Sequence, residues 1–177
     1  MKRSELAHIL RSACDLTGDR DILVIGSQSI LGSFSEAVLP AEATLSIEAD
    51  IAFFDDPDET KLDAVDGGIG EASRFHETFG VYGQGVDLET AVLPAGWRDR
   101  LVGFDDPGAA PSEALCLEPH DLVVSKLVAG REKDYVFAVA LIDAGLVEVD
   151  VLRERALLVP GPPAIGRRVS GWLARRA

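Results

Sequence analysis

Ile22-Leu23-Val24-Ile25-Gly26-Ser27-Gln28-Ser29-Ile30-Leu31-Gly32, followed after a loop by Leu45-Ser46-Ile47-Glu48-Ala49-Asp50-Ile51-Ala52-Phe53-Phe54, is the stretch that decides the fold. The apolar run 22–25 reads as a short central strand, and Gly26-Ser27 opens a short helix over 28–31. The segment 47–54 reads as a second strand, so the order is strand, turn, helix, loop, strand. Side chains two apart on a strand share a face, so Glu48 and Asp50 point the same way. Such a pair on an edge strand would face solvent. Here Ile47, Ile51, Phe53 and Phe54 argue for an internal strand, where two adjacent acids are costly unless a cation lies between them. A divalent metal site beside an anion-binding turn at Gly26-Ser27 is therefore expected.

Outward from this stretch, Leu6, Ile9, Leu10, Ala13 and Leu16 give a helix over 4–16, capped by Ser4 and stopped at Gly18. Asp55 to Glu59 end the second strand and start a helix over 59–65, which Gly67-Gly68 is expected to stop; a helical piece over 69–75 follows. Strands are expected at 81–82 and 86–92, with Gly80, Gly83 and Gly85 as punctuation. The second would place Asp87 and Glu89 on one face, where Asp87 is either a third carboxylate for the metal or a surface acid beside Glu89. Ala114 to Leu117 reads as a further short strand.

From Pro119 the pattern is helical: Leu122, Val123, Leu127 and Val128 form a stripe, a second run covers 134–144, and further helices cover 149–158 and 165–175. A mixed front half and a helical back half predict an α+β protein. The expected division is a core over residues 1–118, with the N-terminal helix, and a helical region over 119–177 packed on it.

The chain has 177 residues, 47% of them hydrophobic, enough for a packed core. It has no apolar run of about 18 residues and no export-type leader pattern, so a cytoplasmic protein without a membrane partner is expected. Cys14 and Cys116 lie in apolar surroundings and are expected as free thiols. The net charge of −13 disfavours nucleic acid unless basic residues are concentrated locally. They are concentrated in two places, Lys126 to Lys133 and the group Arg167, Arg168, Arg175 and Arg176. Lys126, Arg131 and Lys133 read either as a solvated basic patch paired with Glu132 and Asp134 or, with an acidic metal site opposite, as cations facing a cleft in which Lys126 neutralises a triphosphate. His8, His76 and His120 lack ligand spacing, and there is no P-loop, dinucleotide or zinc motif.

The order of Gly-Ser after the first strand, acid-x-acid on the next and a third acid later resembles the nucleotidyltransferase fold of the DNA polymerase β-like superfamily. The run Pro119-His120-Asp121-Leu122-Val123-Val124-Ser125-Lys126-Leu127-Val128-Ala129-Gly130-Arg131-Glu132-Lys133-Asp134 resembles the Lys-x-x-Ala-x-Arg-x-Lys-Asp helix of uncharacterised bacterial nucleotidyltransferase-like proteins related to AbiEii-type toxins of type IV toxin-antitoxin systems. The resemblance spans roughly 22–146. It implies transfer of a nucleoside monophosphate from an NTP to an acceptor such as a protein, an RNA or a small molecule, with two Mg²⁺ ions and an antitoxin as partner. Residue by residue, it makes Glu48, Asp50 and Asp87 metal ligands and, with Lys126, the catalytic set. Gly26, Ser27, Gln28, Ser29, Lys126, Arg131, Lys133 and Asp134 become the nucleotide-binding set. A catalytically inactive nucleotide-binding or interaction module of the same fold is the alternative. Three features depart from the family pattern: Glu48 stands where Asp is usual, the interval from Ser27 to Glu48 is long, and Phe137 occupies a position that often holds an acid.

Overall fold

A short, wholly buried central strand organises the front half. The computed structural model describes residues 1–176. The chain forms β1 (Ile22–Val24), β2 (Glu48–Phe53), β3 (Tyr82–Gly85), β4 (Val102–Gly103) and β5 (Leu115–Cys116). Their order in one mixed sheet is β3-β2-β1-β5-β4. β1 runs antiparallel to β2 and parallel to β5, β2 runs parallel to β3, and β4 is antiparallel to β5. The helices are α1 (Arg3–Thr17), α2 (Ala41–Thr44), α3 (Thr60–Ile69), α4 (Arg74–Phe79), α5 (Pro119–Ala129), α6 (Glu132–Asp143), α7 (Val149–Ala156) and α8 (Pro163–Leu173). This is the expected α+β architecture with a helical back half. One buried cluster runs from Leu6 and Ile9 of α1 through β1 and β2 to Leu122, Leu141 and Leu173, so the helical region shares its core with the sheet. Ala177 of the expected 119–177 region lies outside the described residues.

One face of the sheet carries α1 and α3. Ala49 pairs with Gly83, and a side chain on Gly83 would meet Ile9 and Ile69 at 3.1 and 3.0 Å. Glu48, Asp50 and Tyr82, of opposite parity, face the other way. The strand expected over 86–92 does not form. β3 instead runs through the glycines that read as punctuation, because helices press on that strand. A Cβ on Gly85 would come within 2.6 Å of the Leu62 carbonyl of α3. α3 likewise continues through Gly67-Gly68 to Ile69, since a Cβ on Gly68 would collide with Leu16 at 2.5 Å. The helical piece expected over 69–75 accordingly starts later, at Arg74, capped by Ser73. The loop over 35–44 contains the single turn α2. Cys14 and Cys116 are free and buried, as expected.

The start of α5 is held by charge. Glu118 caps the helix, accepting from the His120 and Asp121 backbone N–H groups. Asp121 is fully buried and accepts from Arg100 (2.7 and 3.1 Å) and Arg155 (2.7 Å). Arg155 of α7 also donates to Glu118 at 2.9 Å, and the Glu148 N–H donates to His120 Nε2 at 3.0 Å. The helix that carries Lys126 is therefore tied to α7 and to the turn at residues 97–100.

Candidate active site

The strand-to-helix turn after β1 is one wall of a cavity of about 440 Å³. Ile25, Gly26 and Ser27 line it from this turn, Glu48 and Asp50 from β2, and Lys126, Arg131 and Lys133 from α5 and the start of α6. Two acids thus face three cations across one space.

Asp50 and Gly26 fit only as a pair. A Cβ at Gly26 would lie 1.5 Å from Asp50 Oδ2 and 2.4 Å from its Cγ, so the carboxylate occupies the space a side chain would take. The Gly26 φ of −84° suits any residue, so the glycine serves this contact and not the turn. Gly26→Ala is expected to displace Asp50, cost about 1–3 kcal/mol of stability and remove activity together. Thermal denaturation beside an activity assay checks this, and a Gly26→Ala protein matching the parent in both would refute the packing.

Asp50 is pushed up to about 6 by burial and then by its hydrogen bond to and charge repulsion from Glu48, with Lys126 and Lys133 pulling the other way. The Tyr82 hydroxyl donates to Glu48 Oε2 at 3.0 Å. Burial and this bond push the phenol up to about 12, so it stays a donor and orients the acid. Tyr82 is a site residue that the sequence reading missed; its signal was its parity with Glu48 on the neighbouring strand.

On the opposite wall, burial lowers Lys126 from the ordinary lysine range, while Asp134 and then Asp50 act to raise it. Asp134 is buried and does not line the cavity. Its carboxylate takes the Arg131 backbone N–H (3.2 Å) and Nε (2.8 Å) and lies 3.8 Å from Lys126 Nζ. At the third position of α6 it reaches back over the helix start, so it holds two cations from behind and does not meet the ligand itself.

Gln28 and Ser29, expected at the nucleotide, are fully buried and absent from the cavity lining. They lie in the 3₁₀ turn Ser27–Gly32, which packs against β2 and α5. Asp87, expected as the third carboxylate, is not brought to Glu48 and Asp50. Without a strand over 86–92, it caps a 3₁₀ turn by accepting from the Glu89 N–H at 2.7 Å and lines a separate hollow with Asp55 and Asp56. Val86, Thr90, Ala91 and Val92 from this segment line the cavity instead. Among the described residues, no three His, Cys, Asp or Glu side chains come together as a metal cluster.

The donors present still suit a hard divalent ion. Glu48 and Asp50 are neighbouring oxygen donors that repel each other when both are ionised, and a cation relieves that repulsion. Mg²⁺ in phosphate-handling sites characteristically takes one or two carboxylates, with substrate oxygens and water completing its shell.

No curated protein and no solved structure matches the chain. A family model does match, over residues 4–157, and that span holds every residue of the cavity. The chain therefore belongs to a family of nucleotidyltransferases of unknown function, DUF6036.

Proposed function

We propose that this protein transfers a nucleoside monophosphate from an NTP to a hydroxyl acceptor, with Glu48 and Asp50 holding Mg²⁺. The observation that carries this reading is the opposition of the Glu48–Asp50 pair to Lys126, Arg131 and Lys133 across one cavity. In the transfer, an acceptor oxygen forms a bond to the α-phosphorus, the bond to the bridging oxygen breaks, pyrophosphate leaves, and the acceptor proton passes to solvent. Bound Mg²⁺ would neutralise charge on the phosphate oxygens.

The protein's own part is positioning. Lys126, Arg131 and Lys133 balance the triphosphate, and Asp134 keeps the first two from swinging away. Tyr82 fixes which Glu48 oxygen faces the cavity. Val86, Ala91, Val92 and Val128 provide an apolar wall against which a base or sugar can rest.

With Mg²⁺ and each NTP labelled on the α-phosphate, the protein is expected to label itself or an acceptor in lysate, and chelation should remove the label. The convergence of two acids in place of three favours one other reading, a binding module without turnover. NTP binding with no label under any of these conditions would establish that reading and end the catalytic one. A toxin role follows from the resemblance of the 119–134 segment. It requires that expression arrest growth and that Asp50→Ala abolish the arrest.

A further inference from the structure

The acidic net charge is unevenly placed. Residues 155–177 contain five arginines and no acid, in a chain of net charge −13. Arg155 is spent on Glu118 and Asp121, while Arg167, Arg168, Arg175 and Arg176 are exposed on or just after α8. Among the described residues, none of these four has an acidic partner, although eight other cations, the cavity's Lys126 and Arg131 among them, do.

α8 brings this charge to the cavity. Arg168 donates to the Val128 carbonyl at 2.8 Å and to the Tyr135 hydroxyl at 3.1 Å, against the turn at Gly130. Val128, Ala129 and Arg131 of that turn are cavity-lining residues. Arg168 thus brings one end of the second basic cluster to the cavity rim, while Arg176 lines a neighbouring hollow with Tyr135, Glu132 and Asp143. Arg168 and Trp172 lie four apart on α8 and share a face, and Arg176, just past the turn that ends the helix, folds back over the Trp172 ring. The Trp172 ring is half-buried and packs against Tyr135 with centroids 5.2 Å apart, and the Arg176 guanidinium lies over it at 4.2 Å. A base stacks on indole in the same way, and more strongly than an exposed guanidinium, which is then released to a phosphate.

We infer that the surface formed by Arg168 and Trp172 of α8 and by Arg176 just after it binds single-stranded nucleic acid and leads a strand into the cavity, so that the acceptor is a hydroxyl of that strand. Backbone charge and base faces alternate along a single strand, as guanidinium and aromatic groups alternate along this face. An acidic protein segment would match the charge and leave Trp172 without a stacking partner. The inference rests on the transfer reading for the identity of the acceptor, but strand binding is measured apart from transfer.

The test is fluorescence anisotropy of the full chain with a labelled 12-nucleotide single strand, as RNA and as DNA of the same sequence, and with poly-glutamate. Both strands, or RNA alone, are expected to bind. Affinity should fall with salt at a log–log slope of about −2 to −3, for three or four phosphate contacts. Preference for RNA would assign the acceptor to RNA, and equal binding to the features the two strands share. The double variant Arg175→Glu/Arg176→Glu, at exposed positions, should weaken binding about tenfold or more, and Trp172→Ala about five- to tenfold. The double variant should keep the parent's melting temperature and NTP binding, whereas Trp172→Ala, which removes a half-buried ring packed on Tyr135, should melt lower and still bind NTP. Absence of strand binding at 50 mM salt, binding unaffected by the double reversal, or equal binding of poly-glutamate would each overturn the inference. Asp50→Ala should retain strand binding. A parent protein that binds the strand but never labels it would leave the α8 surface standing and overturn the strand as acceptor, whereas absence of any label, on protein or strand, would remove the transfer reading.

Discussion

Asp50→Ala is expected to reduce nucleotidyl transfer by about 10³-fold or more, the loss of roughly 4 kcal/mol of charge stabilisation, without loss of fold. Asp50 lies in the space left by Gly26, beside Glu48, with the Lys126 and Lys133 charges opposing it. The fold disfavours its ionised form, since burial and Glu48 push it up to about 6. A neutral replacement therefore removes a source of repulsion. Asp50→Asn, which keeps the shape, should melt at or above the parent temperature at pH 7.5 while losing transfer. This is the pattern of a group kept for chemistry at the expense of stability. Asp87→Ala is the informative companion. Its carboxylate caps a surface turn, so its loss should cost about 1 kcal/mol and leave transfer within a few-fold of the parent. Transfer that survives Asp50→Ala, or an Asp87→Ala protein as inactive as the Asp50 variant, would contradict the site described above.

Asp121→Ala is expected to destabilise the protein by about 3–5 kcal/mol, the usual cost of breaking a buried ion pair from one side. The carboxylate is fully buried and receives three hydrogen bonds from Arg100 and Arg155, whose side chains are themselves largely covered. Removing it leaves two guanidinium groups facing each other with Glu118 and the more distant Asp99 as counter-charges. For a chain of this size the melting temperature should fall by roughly 10 °C, and transfer should fall with it, since α5 carries Lys126. A change below about 0.5 kcal/mol by denaturant titration would show that the network is dispensable. The same cluster contributes to the acid dependence of stability. Burial acts to raise Glu118, but the His120 hydrogen bond and the His120 and Arg155 charges outweigh it, and the folded carboxyl titrates below its ordinary 4.5. A depressed carboxyl contributes its full stabilisation above pH 4.5 and loses it as pH falls through the folded value. Glu118→Gln should therefore reduce stability at pH 7 and flatten its decline between pH 5 and 3.

Local pattern carried much of this into view. The strand at 22–24, the Gly26-Ser27 turn, the shared face of Glu48 and Asp50 and the helix bearing Lys126 each follow from periodicity within a dozen residues, where the backbone geometry is its own constraint. The glycines at 68, 83 and 85 misled because their reason lies outside their segment. Leu16, Leu62 and Ile69 approach there, and only packed helices reveal that a Cβ would not fit. With β3 drawn into those glycines, Asp87 moved off the sheet and out of the site.

Determined by the sequence alone were the α+β order, the acid pair on β2 and the presence of a basic helix, all set by alternation and spacing along a short length of chain. Left to the tertiary structure were the choice of acids that meet, the burial of Asp134 behind Lys126 and Arg131, the Tyr82 bond to Glu48, and the arrival of α8 at the cavity rim. Each of these depends on contacts between segments far apart in the chain, and such contacts are selected by close packing and charge compensation across the whole core, which no local spacing records.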